Sequence, residues 1–508
     1  MRVLTGKQAK QLDRLAMENH GISGEILMRN GGQKLAEFIR SNLMNIHNPN
    51  IGIVCGKGNN GGDGFAAGHM LNKWGFRITI YSLVHHDVIT GDAKVFSDQC
   101  EKNGLSIIYN TDIPASKPDF DLMVDAVLGT GFSGIIRDNT VPWIQWMNDC
   151  KQIISADIPS GVNAATGTAD IHAVNADNTV SMGYPKLGMS IEPGRSHSGH
   201  IHSVDIGFPE IVDELDGRSW TVISHEDIQT ILRPMEKSTH KHVQGKILFL
   251  AGSIGMTGAA YLTTMAALRS GSGLTVTCAP ASLNGIYEEK ITEGMTIPCE
   301  DDELGFFTES NYDTIMKWVD WCDVIAIGPG LGQDDRTSAL VKTLVKTIDK
   351  PMVIDADGLR PFYNYPELFQ EIQSEFVITP HVGELCQLSG ISSKLITNDF
   401  PGSIDKFMSN FPGVLVAKFA PSLVAWKGQG AVNSTGNPGL ATAGTGDVLT
   451  GMIASFIAQG FSMVEAAKLG IYTHGKAADQ LANKSSQRGL IASDLLSQLG
   501  IVLRDYES

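Results

Sequence analysis

Gly444-Thr445-Gly446-Asp447 stands between a small, loop-like run at residues 437–443 and a helical pattern. That pattern carries Val448, Leu449, Met452, Ile453, Phe456 and Ile457 and ends near Gly460. A Gly-Thr-Gly turn at a helix N-terminus presents free backbone N–H groups and the positive end of the helix dipole, which together attract anions. Asp447 adds a carboxylate beside that cradle, placed to take a proton from an attacking hydroxyl. An anion cradle with an adjacent base is what phosphoryl transfer to an alcohol requires. The same four residues also read as a glycine-rich turn whose Asp serves only the helix terminus.

A second constellation lies near the N-terminus. Residues 51–55 read as a strand, followed by Gly56, Gly58 and Gly61 in G-x-G-x-x-G spacing and by a helix with Phe65, Ala66, Ala67, Met70 and Leu71. No acid closes the next strand near Ile80-Tyr81-Ser82 to hold a ribose. The run Asn59-Asn60-Gly61-Gly62-Asp63 sets amides and a carboxylate beside the turn, or makes only local backbone bonds. Asp125 and Asp157 each end a strand before a Gly-containing loop, where the strand ends of an open parallel sheet converge. Asn60, Asp125 and Ser160 can then offer oxygens to a hard cation, leaving Asp157 as an acid/base.

Further strand ends carry Gly252-Ser253, Gly328-Pro329-Gly330-Leu331-Gly332, Asp355-Ala356-Asp357, His381 and Lys418. The glycines allow either close approach of a ligand or tight strand–helix packing. Asp355 and Asp357 either face a metal–phosphate assembly or cap a turn. Lys418 meets either a nucleotide phosphate or solvent. The segment 470–477 nearly fits a phosphate-binding loop, but Ala477 replaces the required Ser/Thr and no strand precedes it, so it reads as structural helix.

Positioning these groups takes strands and helices in alternation. Strands are expected at 51–55, 77–83, 122–127, 152–156, 246–251, 274–279, 323–327, 352–355, 375–379 and 413–419. Several are continuously apolar, as strands buried on both faces are, so the fold class is α/β with largely parallel sheets. At 508 residues the chain should hold two or three domains. The clearest boundary falls within 210–245, where Ser224 and Asp227 form a capping box for a helix that stops before Pro234. Net charge of −16 argues against general nucleic-acid or anionic-membrane binding. Seven cysteines without a C-x-x-C pair read as free thiols, and no apolar run reaches membrane-spanning length. The expectation is a cytoplasmic protein.

The set GNNGGDG, DAVLGTG and ADIPSG resembles the NAD(P)H-hydrate epimerase (YjeF N-terminal) family over roughly residues 1–215. The resemblance implies a Rossmann-like three-layer αβα domain, placed at 1–222, that interconverts the R and S epimers at C6 of hydrated NADH or NADPH. It implies K+ held by Asn60, Asp125 and Ser160. It implies contacts to the hydrate from Asn59, Asn60, Gly61, Gly62, Asp63, Gly129, Thr130, Gly131, Phe132, Ser133, Gly134, Ile135 and Asp157, with Asp157 the acid/base.

Five motifs in order, from Gly252-Ser253 through Ala443-Gly444-Thr445-Gly446-Asp447, resemble the ADP-dependent NAD(P)H-hydrate dehydratase (YjeF C-terminal) family of the ribokinase-like superfamily. The match implies a second αβα domain at 223–508. Its hydrate would contact Ala259, Gly332, His381 and Asp447. ADP, carried with Mg2+, would contact Lys418, Phe419, Ala420, Pro421, Ser422 and Gly446. In that reading Asp447 deprotonates the C6 hydroxyl, the oxygen takes a phosphoryl group, and phosphate then leaves. The partners are small molecules, with no nucleic acid or membrane, and the family implies a homo-oligomer. The competing readings are a small-alcohol kinase and, for the N-terminal part, a ligand-binding module without turnover.

Overall fold

In the computed structural model, which describes residues 1–109, 112–114 and 119–507, the chain divides into two compact units. One spans Arg2–Trp220 and the other Met1 with Thr221–Ser508. Each is an α/β unit built on its own largely parallel sheet.

In the first unit the strands are β1 (Asn50–Cys55), β2 (Arg77–Ser82), β3 (Ile107–Tyr109), β4 (Leu122–Ala126), β5 (Ile153–Ala156), β6 (Asn178–Met182) and β7 (His200–Val204). They lie in the order β3-β2-β1-β4-β5-β6-β7, every pair parallel. The chain walks outward from β1 in one direction and then returns to β4 to walk in the other. The crevice between the C-terminal ends of β1 and β4 is therefore a topological switch point, where open sheets of this kind bind ligands. Ile51, Ile53, Leu122, Val124 and Ile154 are fully buried against Leu35 and Phe65, which explains the continuously apolar strands. Those two residues lie on α2 (Gly24–Asn42) and α3 (Asn59–Lys73). Ahead of them, α1 (Gly6–His20) opens with a Thr5–Gln8 capping box.

The second unit begins with α4 (His225–Ile231), whose Ser224–Asp227 capping box is formed as expected. Its strands are β8 (Lys246–Leu250), β9 (Leu274–Pro280), β10 (Met295–Cys299), β11 (Val324–Ile327), β12 (Met352–Ile354), β13 (Phe376–Ile378), β14 (Val414–Ala417), β15 (Leu423–Trp426) and β16 (Gln429–Val432). These run β16-β15-β14-β13-β12-β11-β8-β9-β10 across the sheet. All neighbours are parallel as far as β14; β15 and β16 join antiparallel. The switch point here falls between β8 and β11.

Over this sheet lie α5 (Thr257–Arg269), α6 (Val382–Ser389), α7 (Thr445–Ala458) and α8 (Met463–Lys484). Phe249, Val324, Val353, Met452, Ile453 and Phe456 meet in its core. A Cβ on Gly451 of α7 would stand 2.0 Å from the Thr263 carbonyl oxygen of α5. Only glycine lets α7 lie that close, and this fixes the height of its N-terminus over the sheet. The segment 470–477 is the interior of α8, so it is helix, as the missing strand and Ser/Thr indicated.

Candidate active sites

In the first unit the glycine turn after β1 is shaped by its neighbours. A Cβ on Gly56 would meet the Val127 carbonyl oxygen at 2.0 Å, and one on Gly61 would meet the Gly56 carbonyl oxygen at 1.9 Å. Both glycines are therefore steric requirements of the fold. Gly58, the N-cap of α3, has nothing within 4 Å of its Cβ position and an ordinary φ of −98°.

A cavity of about 690 Å3 opens at this switch point. Of the expected contacts, Asn59, Asn60, Asp63, Gly129, Thr130, Gly131, Phe132, Ser133, Ile135 and Asp157 line it. Gly61, Gly62 and Gly134 are not among the lining residues; the first two are buried in the α3 packing. Lys10, Lys57 and Arg137 also line the cavity, and sequence reasoning passed over them.

Behind this cavity Asp125 is completely buried. Its carboxylate accepts from Ser160 Oγ (2.5 Å), Ser160 N (2.8 Å), Ser155 Oγ (2.8 Å) and Val127 N (3.3 Å). Burial raises its pKa, and these donors oppose the rise. Asn60 donates from Nδ2 to the Leu128 carbonyl oxygen at 2.9 Å, while its buried Oδ1 has no hydrogen-bond partner. An orphaned acceptor beside a buried carboxylate is a donor set of hard oxygens, which fits a monovalent or divalent hard cation.

Asp157 lies just past β5 with φ +64°, a left-handed backbone that side chains other than glycine seldom adopt. Its carboxylate accepts from Met182 N (2.9 Å) and from Lys186 Nζ. Lys186 is only 2% exposed and also donates to Ser181 Oγ at 3.1 Å. Three further carboxylic acids line the same cavity, Asp13 from α1, Asp63 from α3 and Asp92. Burial, then the charge of Asp157, push Asp13 up to about 6 against the pull of Lys186. The same causes hold Asp63 well above the carboxylate range. Lys186 was visible in the sequence only as part of Gly183-Tyr184-Pro185-Lys186-Leu187-Gly188. Asp13 sits in an amphipathic helix whose spacing gives no sign of it.

In the second unit Gly444 is the N-cap of α7 at φ +90°, a conformation for glycine. Thr445 Oγ1 donates to the carbonyl oxygens of Leu440 (2.9 Å) and Thr442 (3.0 Å), folding the turn back on its own approach. His474 of α8 contacts the Thr445 carbonyl oxygen through Nε2 at 3.0 Å. Burial depresses this imidazole to about 4, so it is neutral and donates. The segment that imitates a phosphate loop thus braces the real turn.

Asp447, in the first turn of α7, is pushed up to about 7, first by burial and then by Asp355, with Lys418 pulling the other way. Asp355 is 1% exposed and accepts from Lys418 Nζ (2.7 Å) and Thr450 Oγ1 (2.6 Å). Lys418 is therefore no solvated strand end. Burial works against its charge, but Asp355 and Glu384 outweigh that and raise its pKa. Gly446 lies under the same ammonium, its Cβ position 3.2 Å from Lys418 Nζ.

His381 pairs with Lys418 by an isolated parallel bridge, and its Nδ1 caps α6 by accepting from Glu384 N at 3.2 Å. Glu384, unremarked in the sequence, bonds back to His381 N at 2.8 Å and is raised chiefly by burial. Asp357 accepts from Gly332 N at 2.9 Å. Three carboxylic acids, Asp355, Glu384 and Asp447, therefore act on the half-buried Lys418 ammonium.

On the other side of the switch point, Ala259 in the first turn of α5 lies 2.8 Å from the Cβ position of Gly330. Gly332 lines a recess of about 210 Å3 together with Ser253, Met256 and Phe306. Phe419 stacks on Phe400 with ring centroids 4.2 Å apart, followed by exposed Ala420, buried Pro421 and half-buried Ser422.

A doubly wound unit with a carboxylate-and-lysine cavity, followed by a second α/β unit with a carboxylate at a glycine-opened helix, defines a two-site enzyme. Residues 24–188 match the family of the YjeF-related protein N-terminus, and residues 247–500 match the NAD(P)H-hydrate dehydratase family. The bifunctional NAD(P)H-hydrate repair enzyme Nnr of Moorella thermoacetica is 36% identical, over 100% of this chain and 97% of that protein. The Nnr enzyme of Thermofilum pendens is 32% identical, over 100% and 98%. A solved structure of a hypothetical protein, SMU.573 of Streptococcus mutans, covers 57% of this chain and 100% of its own with a TM-score of 0.50 at 22% identity, a likeness of fold alone. The chain belongs to the family of bifunctional NAD(P)H-hydrate repair enzymes.

Proposed function

We propose that the Arg2–Trp220 unit epimerises (R)- and (S)-NAD(P)H hydrates and that the Thr221–Ser508 unit dehydrates the S form to NAD(P)H, converting ADP to AMP and phosphate. The observation that carries the reading is Asp447, a carboxyl poised near neutrality one residue past the Gly-Thr-Gly turn. Its carboxylate takes the proton of the C6 hydroxyl. The freed oxygen attacks the terminal phosphoryl group, whose developing charge meets the N–H groups of 444–446 and the Lys418 ammonium. Phosphate then leaves, pushed by the ring nitrogen, and loss of a proton from C5 of the resulting iminium restores the dihydropyridine.

Mg2+, when bound with the nucleotide, would neutralise phosphate charge. Asp357, beside Gly332, and Glu384, beside Lys418, are carboxylates that suit it. ADP, Ala259, Gly332 and His381 keep the places given them by family resemblance. In the other unit Asn60, Asp125 and Ser160 would hold K+, which would offset the buried charge of Asp125 and fix the turn beside Asp157. Replacing K+ by Na+ is expected to lower the rate of R-to-S conversion severalfold, read by chromatography of the two hydrates.

The test of the whole reading is recovery of the NADH absorbance band after mixing protein, an R/S mixture of NADH hydrate and ADP. Full recovery is expected. Recovery of the S fraction alone would overturn the epimerase assignment, and none at all would favour a kinase that phosphorylates an alcohol stably.

The base assignment fixes a pH dependence. Asp447 acts deprotonated, so kcat for dehydration should rise through about pH 7, level off above it, and fall about tenfold per unit below pH 6. A flat profile from pH 5.5 to 8.5 would contradict it.

A further inference from the structure

Epimerisation inverts one carbon without net oxidation. The C6–O bond breaks as the departing hydroxyl receives a proton and leaves as water. The electron pair of the ring nitrogen forms the N1=C6 double bond. Water then adds to the opposite face, the C6–O bond re-forms, the electron pair returns to nitrogen and a proton is lost. One proton enters and one leaves, so the site needs two proton-handling groups, one for each half of the reaction. Asp157 with Lys186 supplies one of them, and it is already tied to Met182 N and Ser181 Oγ.

We propose that Asp13 is the second proton-handling group of the epimerisation site, acting across the same cavity from a different element. It stands on α1, whereas Asp157 follows β5, and both line the 690 Å3 cavity. Among the described residues its carboxyl has no hydrogen-bond or ion-pair partner, so it is free to meet a water or hydroxyl. The titratable groups acting on it are Asp157, Lys186 and Asp63. Asp63 is raised well above its ordinary value, first by burial and then by the charge of Asp157. Asp13, raised to about 6, changes state near neutrality. With Asp13 deprotonated, it takes the proton of the incoming water, and the Asp157–Lys186 pair gives one to the departing hydroxyl. The reverse epimerisation exchanges the two roles.

This inference rests on the epimerase reading above. It is tested by following interconversion of the purified R and S hydrates by the full chain without nucleotide. Asp13→Asn is expected to cut kcat by about 10²-fold or more, with KM within threefold of wild type. The wild-type rate should fall below about pH 6, and that acid limb should vanish in Asp13→Asn. Asp13→Glu should restore part of kcat. Circular dichroism and thermal melting of the full chain check that the variants are folded. An Asp13→Asn kcat within threefold of wild type, or an unchanged acid limb, would overturn the proposal. So would a loss confined to KM or one that Asp13→Glu does not relieve. If the wild-type protein itself fails to interconvert the hydrates, the epimerase reading falls instead.

Discussion

Asp447→Asn is expected to lower ADP-dependent dehydration by about 10²–10⁴-fold and to leave R/S interconversion at the wild-type rate. The amide keeps the size of the side chain and cannot accept the hydroxyl proton. The result is distinguishable from misfolding by its sign in stability. In the folded protein the Asp447 carboxyl is raised from 3.8 to about 7. A raised carboxyl favours the folded state fully only below its unfolded value, and that contribution is lost as pH rises through about 7. At pH 8 the wild type therefore carries the cost of a buried charge that Asn does not. The variant should melt at or above the wild-type temperature in the absence of ligand. Dehydration at wild-type rate, or a lowered melting temperature with lost activity, would remove Asp447 from the role of base.

Lys418→Met should damage both stability and catalysis. It strands Asp355, 1% exposed, with only Thr450 Oγ1 as a partner. Breaking one side of a buried pair typically costs ~3–5 kcal/mol, because the remaining charge has lost its compensation. Denaturant unfolding should therefore show an earlier transition for the Thr221–Ser508 unit. Adding Asp355→Asn to Lys418→Met should return most of that loss, since a neutral amide needs no counter-charge, while dehydration stays impaired. Equal unfolding midpoints for wild type and Lys418→Met would show that the pair contributes nothing net.

Much of this architecture was legible in the residues. All ten expected strands are present, with ends shifted by at most two residues, because a strand buried on both faces must be apolar along its length. One strand that escaped notice hides polar groups inside. Asn178–Met182 buries Thr179 and Ser181, satisfied by the carbonyl oxygens of Ser198 (2.7 Å) and Tyr184 (3.1 Å). Its alternation therefore carried no signal. Leu423–Trp426 and Gln429–Val432 are short and joined antiparallel to a sheet read as parallel.

At the sites, the groups announced by local glycine turns and strand ends were found: Asp447, Asp157, Asp125 and Asn60. Those delivered by tertiary packing were not. Asp13 arrives on a helix from the start of the chain, Glu384 through the capping of α6, and His474 from the middle of a helix that imitates something else. The dependence of Asp447 on Asp355 and Lys418 joins residues 355, 418 and 447, which no local pattern could bring together.

The turn after β1 holds three glycines under two different obligations. Gly56 and Gly61 answer to the backbone around them, at 2.0 Å and 1.9 Å, and any side chain there would break the fold before it touched a ligand. Gly58 answers to nothing in the protein. Its freedom makes it a reporter: drift at Gly58 would record relaxed demand from whatever occupies the cavity, whereas constancy at Gly56 and Gly61 says only that the chain still folds. A lineage that had kept this architecture while abandoning its chemistry would be told apart first at that one position.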